Sequence, residues 1–323
     1  MSGPRIAHVG CGYWGKNLAR NFAELGALEA IVDDHRETAE RISEATGARI
    51  ATLDEVLADP AIDGVSFATP AETHAALALS ALESGKHVYV EKPVALSADD
   101  AETLIAVAAR HDRRLMVGHL LQYHPIFRKL REMVRSGAIG DLSYVYSNRM
   151  SLGKFRIEEN VLWSFAPHDV SMILSLVDAE CTGVTAQGAA IVTPGIEDWA
   201  LLQLRFANGL KGHVQTSWLH PFKEQRLVAI GSEGMLVFED SAPDWDAKLR
   251  LYRHRIDRDG PVPVPHPAAA EAIVVEKSEP LRNECRHFLD CIANGTTPLT
   301  DGAEGLAVLN VLRRASDALA SAS

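Results

Sequence analysis

The chain has 323 residues, a length that suits two domains better than one small domain. Apolar residues make up 47% of it and charged residues 23%, a composition typical of globular proteins that excludes a disordered or fibrous chain. The 32 basic and 43 acidic side chains give a formal charge of −11 without any run of Lys and Arg, which disfavours binding to nucleic acid or to an anionic membrane.

Residues 5 to 118 repeat one pattern, in which a short apolar run is followed by a Gly or Pro break and then by apolar residues three and four apart. This pattern predicts alternating strands and helices, and therefore a parallel sheet covered on both faces. The predicted strands are Arg5 to Val9, Leu28 to Asp33, Ala48 to Ala51, Gly64 to Ala68, His87 to Val90 and Leu115 to His119.

After Pro125 the pattern changes from strand and helix in alternation to consecutive strands. Short turns that contain glycine, such as Asn208-Gly209, join these strands and favour a largely antiparallel sheet. The proline-rich segment from Pro261 to Pro267 is predicted as a loop. The predicted strands are Leu142 to Met150, Val184 to Val192, Trp199 to Phe206, Gly209 to Trp218, Arg226 to Gly231 and Met235 to Glu239, and helices are expected over Glu279 to Asn294 and Asp301 to Ala320.

The α/β pattern, together with its change after Pro125, predicts two domains and a C-terminal helix. A Rossmann dinucleotide-binding domain spans 1–122, an α+β domain with an open, largely antiparallel sheet spans 123–300, and a C-terminal helix spans 301–323. The four cysteines lack metal-site spacing, so we expect reduced thiols and no metal. No apolar stretch approaches the roughly 18 residues that span a bilayer, and the first residues lack a signal-peptide pattern, so we expect a cytoplasmic protein.

The segment Gly10-Cys11-Gly12-Tyr13-Trp14-Gly15 lies between the first predicted strand and the first predicted helix. In such a motif the first glycine permits a tight turn, the second lets a pyrophosphate approach the backbone, and the third lets helix and strand pack closely. The amides at the helix N-terminus then face the phosphates. A tight turn without a ligand is the alternative, and the strand and helix on either side favour a dinucleotide site.

Asp33 ends the second predicted strand, 18 residues after Gly15. A carboxylate there accepts hydrogen bonds from both ribose hydroxyls of NAD and repels the 2′-phosphate of NADP, so NAD is the expected cofactor. Arg36 lies nearby and leaves NADP open, because a guanidinium can hold a phosphate. Its other interpretation is a solvated residue in the first turn of a helix.

Glu91-Lys92-Pro93 follows the fifth predicted strand, at the sheet edge where ligands bind in such folds. A lysine beside the nicotinamide could bond to a substrate hydroxyl and stabilise the alkoxide that develops as hydride leaves. A surface lysine in a strand-to-helix turn is the alternative, and position alone does not separate the two.

Together these segments resemble the Gfo/Idh/MocA family of oxidoreductases over nearly the whole chain. The resemblance rests on the glycine motif, on Ala68-Thr69-Pro70 with Thr73-His74, on Gly85-Lys86-His87-Val88 running into Glu91-Lys92-Pro93, and on Pro298-Leu299-Thr300-Asp301-Gly302.

The resemblance implies roles for particular residues. Lys92 is implied to be catalytic, and the Thr69-Pro70 turn with His74 is implied to lie against the cofactor. The full implied cofactor-binding set is Gly10, Gly12, Tyr13, Trp14, Gly15, Asp33, Thr69, Pro70, His74, Glu91 and Lys92. The second domain is implied to cover the nicotinamide and to mediate assembly into a homodimer or homotetramer.

The family's Asp-x-x-x-His motif corresponds to Ser164-Phe165-Ala166-Pro167-His168 in this chain. The histidine is retained, and imidazole exchanges a proton near neutral pH, so His168 is implied to be the general base. A structural histidine is the alternative where no motif applies. Serine at 164 cannot supply the carboxylate, which puts in doubt any step that needs it.

The segment Asn148 to Asp169 is similar to the members of this family that oxidise the 3-hydroxyl of UDP-N-acetylglucosamine before an aminotransferase acts. The stretch Gly118 to Pro125 fits the same subgroup. Arg149, Lys154 and Arg156 could offset a diphosphate, although an ordinary solvated loop is the alternative. The predicted substrate residues are Tyr123, His124, Arg149, Lys154, Arg156, Asn160 and Trp163.

The expected mechanism places the substrate hydroxyl between Lys92 and His168, with its carbon over C4 of NAD. His168 takes the hydroxyl proton, and Lys92 orients the oxygen. The alternatives are a dehydrogenase of a free polyol such as an inositol or of a simple sugar, a ketosugar reductase, and, outside enzymes, an NAD-binding sensor or regulatory subunit. Because a sensor needs neither Lys92 nor His168, the presence of both residues favours an enzyme.

Overall fold

The computed structural model describes residues 3–152 and 155–322. Their contacts divide the chain into two compact units. The first unit combines Met1–Tyr123 with Ser278–Leu309, and the second combines His124–Lys277 with Asn310–Ser323.

The first unit is built on a six-stranded sheet in which every pair of neighbours is parallel. Its strands are β1 (Ile6–Val9), β2 (Leu28–Val32), β3 (Arg49–Ile50), β4 (Gly64–Phe67), β5 (His87–Glu91) and β6 (Leu115–Gly118), in the order β3-β2-β1-β4-β5-β6. The strand order reverses between β1 and β4, and ligands bind in such sheets at the carboxyl ends of the strands at this point. The predicted Rossmann domain is confirmed.

The helices of the first unit follow from apolar stripes and local capping. They are α1 (Gly15–Glu24), α2 (Arg36–Thr46), α3 (Leu53–Ala58), α4 (Ala71–Glu83), α5 (Ala98–Arg110) and, late in the chain, α8 (Pro280–Asn294). Leu18 and Phe22 give α1 a fully buried stripe. Thr52 begins α3 with a capping box, in which its hydroxyl accepts from the Glu55 amide and the Glu55 carboxylate accepts from the Thr52 amide.

The second unit is built on an eight-stranded mixed sheet. Its strands are β7 (Leu142–Leu152), β8 (Cys181–Ala189), β9 (Trp199–Phe206), β10 (Lys211–Ser217), β11 (Leu219–Gly231), β12 (Met235–Glu239), β13 (Leu249–Tyr252) and β16 (Ala270–Ala272), in the order β16-β13-β12-β11-β7-β10-β9-β8. Neighbours run antiparallel except β7 and β10, which are parallel. The predicted open, largely antiparallel sheet is confirmed.

In the described part of the second unit, two α-helices, a hairpin, the short 3₁₀ helix Trp245–Ala247 and the end of α9 (Gly302–Ala322) accompany the sheet. The helices are α6 (Pro125–Arg135) and α7 (Val161–Leu176), and α7 lies against β7, β9 and β10. The hairpin pairs β14 (Arg255–Asp257) with β15 (Val264–His266). The second half of the predicted proline-rich loop is therefore a short strand. It tolerates proline because β14 is its one partner among the strands of residues 3–152 and 155–322.

The units differ from the predicted boundaries of 1–122, 123–300 and 301–323. Contacts place Ser278–Leu309 with the first unit because the apolar side of α8 covers α1. Phe288 on α8 meets Phe22 and Tyr89 edge to face, with ring centroids 6.5 and 5.9 Å apart. Burial of these rings joins sequence-distant segments into one core.

Candidate active site

The glycine motif forms the turn between β1 and α1. Gly10 has a φ of +88°, and a Cβ added there would lie 2.8 Å from the Ala68 carbonyl oxygen. A Cβ on Gly15 would lie 1.8 Å from the Gly10 carbonyl oxygen. Gly12 differs, since a Cβ there would meet no described atom within 4 Å. Gly10 and Gly15 therefore permit close packing of the chain, and Gly12 leaves space for a ligand to approach the backbone.

A buried histidine, which the sequence analysis did not single out, lies beneath this turn. His8 is fully buried, with Nε2 3.0 Å from the Gly10 carbonyl oxygen and Nδ1 3.1 Å from the Ser66 hydroxyl. Burial lowers the pKa of His8 to about 4, so the ring is neutral at pH 7. A neutral ring satisfies both contacts when Nε2 donates to Gly10 and Nδ1 accepts from Ser66. His8 thereby supports the turn at its first glycine.

The carboxylate of Asp33 lies next to the glycine turn. One oxygen accepts from the Cys11 amide at 2.7 Å, and the other accepts from the His35 amide at 2.8 Å. The side chain is 9% exposed. Arg36 points elsewhere, because its Nε donates to Glu40 at 2.8 Å on a side chain that is 90% exposed. Arg36 is therefore a solvated helix residue in this structure, which is the second of its two interpretations from the sequence.

The glycine motif and the Glu91-Lys92-Pro93 turn are joined by a side-chain hydrogen bond. The Trp14 indole donates to Glu91 at 2.6 Å, and the Tyr89 hydroxyl donates to the same oxygen at 3.3 Å. Burial raises the pKa of Glu91, while these donors and the charge of Lys92 oppose the rise. Tyr13, by contrast, is 89% exposed. The peptide between Lys92 and Pro93 is cis, and Lys92 is partly buried.

The Thr69-Pro70 turn follows β4, the neighbour of β5 in the sheet. Thr69 touches the glycine turn, since a Cβ on Gly10 would lie 3.0 Å from its Cγ2. Its hydroxyl lies 2.7 Å from that of Thr73. His74 is 1% exposed, and both of its ring nitrogens face backbone carbonyls. The first unit thus assembles the glycine turn, Asp33, Thr69-Pro70 and Glu91-Lys92 at one sheet edge.

Two predicted substrate residues are buried among partners of their own unit. Tyr123, in the first unit, is 2% exposed, and its hydroxyl lies 2.9 Å from that of Thr300. His124, in the second unit, stacks on Trp245 with ring centroids 5.5 Å apart and accepts from the Ile126 amide. Burial lowers the pKa of His124 to about 4. These internal contacts give no support to a substrate role for either residue.

Arg149 also has an internal partner. Its guanidinium forms a buried ion pair with Asp169 of α7, through Nε at 2.5 Å and Nη2 at 3.3 Å. The Ser147 hydroxyl donates to the same carboxylate. This network joins β7 to α7, and a guanidinium paired in this way is not available to a diphosphate without breaking a buried ion pair.

The remaining predicted substrate residues lie before and within α7. Arg156 is paired with Glu159, and Lys154 lies outside the described residues. Asn160 caps α7 by accepting from the Trp163 amide, and its own amide group donates to Glu197 at 2.7 Å. The Trp163 indole donates to Ser316 at 2.9 Å.

Ser164 and His168 lie one turn apart on α7. That spacing directs both side chains toward the same side of the helix. Ser164 is buried and His168 is partly buried. The family motif, including its serine substitution, is therefore presented by a helix.

The sequence analysis also missed a buried carboxyl on α8. Glu284 on α8 is fully buried, and burial raises its pKa well above the ordinary value. The nearby charge of Glu91 adds to this rise. Its only sequence signal was an acidic residue on the apolar side of a predicted helix.

Metal and membrane features can be stated for the described ranges, 3–152 and 155–322. Within them, no group of three or more His, Cys, Asp or Glu side chains is arranged to hold a metal ion. None of the helices there combines the length and apolar character needed to cross a membrane.

The sheet edge of the first unit defines the class of protein, a Rossmann-fold oxidoreductase that binds a nicotinamide dinucleotide. Residues 4–119 match the model of the oxidoreductase family with an NAD-binding Rossmann fold, and residues 127–237 match the GFO/IDH/MocA C-terminal domain. The chain belongs to the Gfo/Idh/MocA family, which confirms the resemblance seen in its sequence. It is an NAD(P)-dependent dehydrogenase.

Individual relatives align over nearly the full length. The chain is 29% identical to the UDP-N-acetylglucosamine 3-dehydrogenase of Acidithiobacillus ferrooxidans, over 94% of each protein. A crystal structure of that enzyme superposes with a TM-score of 0.87, at 26% identity and 99% coverage of both chains. The chain is also 26% identical to the scyllo-inositol 2-dehydrogenase of Bacillus subtilis, over 95% of this chain and 91% of the relative.

Proposed function

We propose that the protein oxidises a sugar hydroxyl with NAD. The proposed substrate is UDP-N-acetylglucosamine, and the proposed site of oxidation is its 3-hydroxyl. The observation that carries the reaction type is the turn at Lys92. This lysine follows β5 at the carboxyl edge of the sheet, and the preceding Glu91 is hydrogen-bonded to Trp14 of the glycine motif. This bond supports the proposal that the cation of Lys92 lies beside the dinucleotide site, where an alkoxide would develop.

Lys92 and His168 divide the chemistry in this proposal. NAD, held by the glycine turn and Asp33, would supply the hydride acceptor, so that the C–O single bond of the substrate could become a carbonyl. His168 accepts the hydroxyl proton, and Lys92 hydrogen-bonds to the oxygen and stabilises its developing charge. The products are a ketone, NADH and a proton. An aminotransferase is the class of enzyme that would consume such a ketosugar.

NAD rather than NADP is the proposed cofactor. Asp33 keeps its carboxylate beside the glycine turn through two backbone amides, and a carboxylate in this position repels a 2′-phosphate. Arg36 pairs with Glu40, so the cation that could have offset that repulsion points away.

The choice of nucleotide sugar rests on the Asn148 to Asp169 segment and on the full-length likeness to the Acidithiobacillus enzyme. Arg149 is committed to a buried ion pair with Asp169, whereas the pair between Arg156 and Glu159 is partly exposed and can be exchanged for a phosphate at lower cost. We therefore retain Arg156 and Lys154 as diphosphate contacts. A polyol is the second candidate, favoured by the similarity to the inositol dehydrogenase of Bacillus subtilis.

A trapped oxidation assay separates the two substrates. Enzyme and NAD are incubated with UDP-N-acetylglucosamine, free N-acetylglucosamine, glucose or an inositol, and NADH absorbance is followed. Hydroxylamine or an aminotransferase removes the ketone, because alcohol oxidation by NAD is unfavourable at equilibrium. We expect trapped ketone from the nucleotide sugar and very little from free sugars, because the remote UDP group supplies positioning energy. Product from inositol or glucose alone would select the polyol alternative.

We further propose a homodimer or homotetramer that forms through the sheet face opposite α7. A cavity of about 550 Å³ lies on this face, and its lining includes Tyr146, Arg226, Arg250 and Tyr252. Aromatic and arginine side chains are enriched at protein interfaces. Sedimentation velocity should give an oligomer for the wild type and a smaller species for Tyr146→Glu. A monomeric wild type would exclude the interface.

A further inference from the structure

One buried histidine connects the two turns that flank the carboxyl edge of the first unit. His74 lies in the first turn of α4 and is 1% exposed. Its Nδ1 is 2.7 Å from the Pro93 carbonyl oxygen, and its Nε2 is 2.9 Å from the Thr69 carbonyl oxygen. Because β4 and β5 are neighbours, a single imidazole spans the gap between the loops that follow them.

Each of the two turns adjoins a part of the proposed site, namely Lys92 in one case and the glycine turn in the other. Pro93 follows Lys92 directly, so a shift of the Pro93 carbonyl moves the backbone that carries the lysine. Thr69 touches the glycine turn, with its Cγ2 3.0 Å from the position of a Cβ on Gly10. A shift of the Thr69 carbonyl therefore acts on the wall of the dinucleotide site.

We propose that His74 is a positioning residue that fastens the Lys92-Pro93 turn to the Thr69-Pro70 turn, and so sets both cofactor affinity and the placement of Lys92. This differs from direct contact with the cofactor, which the family resemblance implied. Its ring nitrogens face backbone oxygens of the protein, so His74 acts through the two turns. The effect of His74 on the placement of Lys92 rests on the proposed function, whereas its effect on cofactor affinity does not.

The ionisation of His74 decides how many of the two carbonyls the ring can bond at one time. Burial lowers its pKa and the charge of Lys92 lowers it further, whereas the two carbonyls and Glu72 raise it. A neutral imidazole has one N–H and an imidazolium has two. A neutral His74 therefore donates to one of the two carbonyls in each tautomer, and substitutions that keep one nitrogen position at a time can separate the two contacts.

Asparagine and glutamine provide that separation. The Asn amide nitrogen lies at about the reach of a histidine Nδ1, and the Gln amide nitrogen at about the reach of Nε2. His74→Asn should keep the contact with Pro93 and lose that with Thr69, and His74→Gln should do the reverse. His74→Ala loses both.

His87 provides the matched control. It begins β5 at the opposite edge of the same sheet, is 9% exposed, and accepts a hydrogen bond from the Arg114 amide at 2.9 Å. It thus shares the burial and backbone bonding of His74 but touches neither turn. His87→Ala reports the cost of removing a buried histidine from this sheet.

The first measurement does not require a substrate. NADH affinity is determined by fluorescence titration, and amide hydrogen exchange is followed in peptides covering residues 68–73 and 91–96. His74→Asn should weaken NADH binding by about 5- to 10-fold, the loss of one hydrogen bond, and should speed exchange in residues 68–73. His74→Gln should retain NADH affinity and speed exchange in residues 91–96. His87→Ala should leave both properties unchanged.

The second measurement is kcat with the substrate identified in the trapped assay. His74→Gln should lower kcat by about 5- to 10-fold, whereas His74→Asn should keep it near the wild-type value. The positioning role would be overturned if His74→Asn and His74→Gln changed NADH affinity and kcat equally, or if the two variants showed the opposite pattern. If no sugar or polyol is oxidised, the proposed function fails, and the NADH and exchange measurements still decide whether His74 fastens the turns.

Discussion

Asp33 accepts hydrogen bonds from the Cys11 and His35 amides, which leaves its charge beside the dinucleotide site. Asp33→Ala should raise the Kd for NAD by about 10- to 150-fold, the range expected for the loss of charge-assisted hydrogen bonds. The Kd for NADP should change less, because the same substitution removes a repulsive charge. Isothermal titration with both cofactors gives the two values.

Arg36→Ala is the matched control for this prediction. Its guanidinium pairs with Glu40 on an exposed helix surface, so the ratio of the two cofactor affinities should stay within about twofold of the wild type. A wild-type enzyme that prefers NADP, or an Arg36→Ala variant that selectively loses NADP, would contradict the assignment of Asp33.

Substitution of Lys92 or His168 should lower turnover and leave cofactor binding intact. Lys92→Met and His168→Asn should each lower kcat by about 10²- to 10⁴-fold, because each acts on the substrate oxygen. The Kd for NADH, measured by fluorescence, should stay near that of the wild type. Normal turnover in His168→Asn would show that another group accepts the proton.

The dinucleotide half of the site was readable from the sequence because a local motif encodes it. Gly10, Gly15 and Asp33 occupy positions fixed by a strand, a tight turn and a helix. The partners of Arg149 could not be read in the same way, because Asp169 lies 20 residues away on another element. A basic residue near a predicted substrate segment looks the same in the sequence whether it meets a phosphate or a buried carboxylate.

Elements with a clear period were predicted closely, and those with mixed signals were not. The bounds of β9 and β12 agree with the predicted strands to the residue. The strand β11 begins seven residues before its prediction, because an irregular register between Leu219 and Glu224 breaks the alternation of side chains. The helix α7 was not predicted, since it is apolar on most sides and contains Pro167.

On α8, the buried carboxyl of Glu284 makes stability depend on pH. Burial raises the pKa of Glu284 in the folded state well above its ordinary value of 4.5. Below pH 4.5 both folded and unfolded states hold the proton. As pH rises above 4.5, only the unfolded state releases it, so this group lowers stability progressively. Glu284→Gln should therefore raise the Tm, and the gain should be larger at pH 8 than at pH 5.

The control for Glu284 is an acid that remains in solvent. Glu276 is exposed, so the effect of Glu276→Gln on the Tm should be small and similar at both pH values. Thermal unfolding of the three proteins at pH 5 and pH 8 provides the comparison. A gain for Glu284→Gln that does not change with pH would mean that Glu284 ionises normally in the folded protein.

At the scale of the whole chain, the first unit depends on a segment that lies between the two parts of the second unit in sequence. Four side chains of α8, namely Leu281, Cys285, Phe288 and Leu289, are each no more than 9% exposed and belong to the core cluster that contains Leu18, Phe22 and Tyr89. The sequence predicted α8 as a helix but not its location, because the apolar period of a helix does not specify which surface it covers.

A chain that ends at Lys277 tests this dependence. Loss of four buried side chains at about 1.5 to 3 kcal/mol each removes roughly 6 to 12 kcal/mol, which is comparable to the net stability of a whole domain, about 5 to 15 kcal/mol. The shortened chain should therefore fail to bind NADH, even though the glycine motif, Asp33 and Lys92 are all retained. A full-length Arg286→Ala variant, altered at an exposed position of the same helix, should bind NADH normally. Normal NADH affinity in the shortened chain would show that residues 1–123 complete their core without α8.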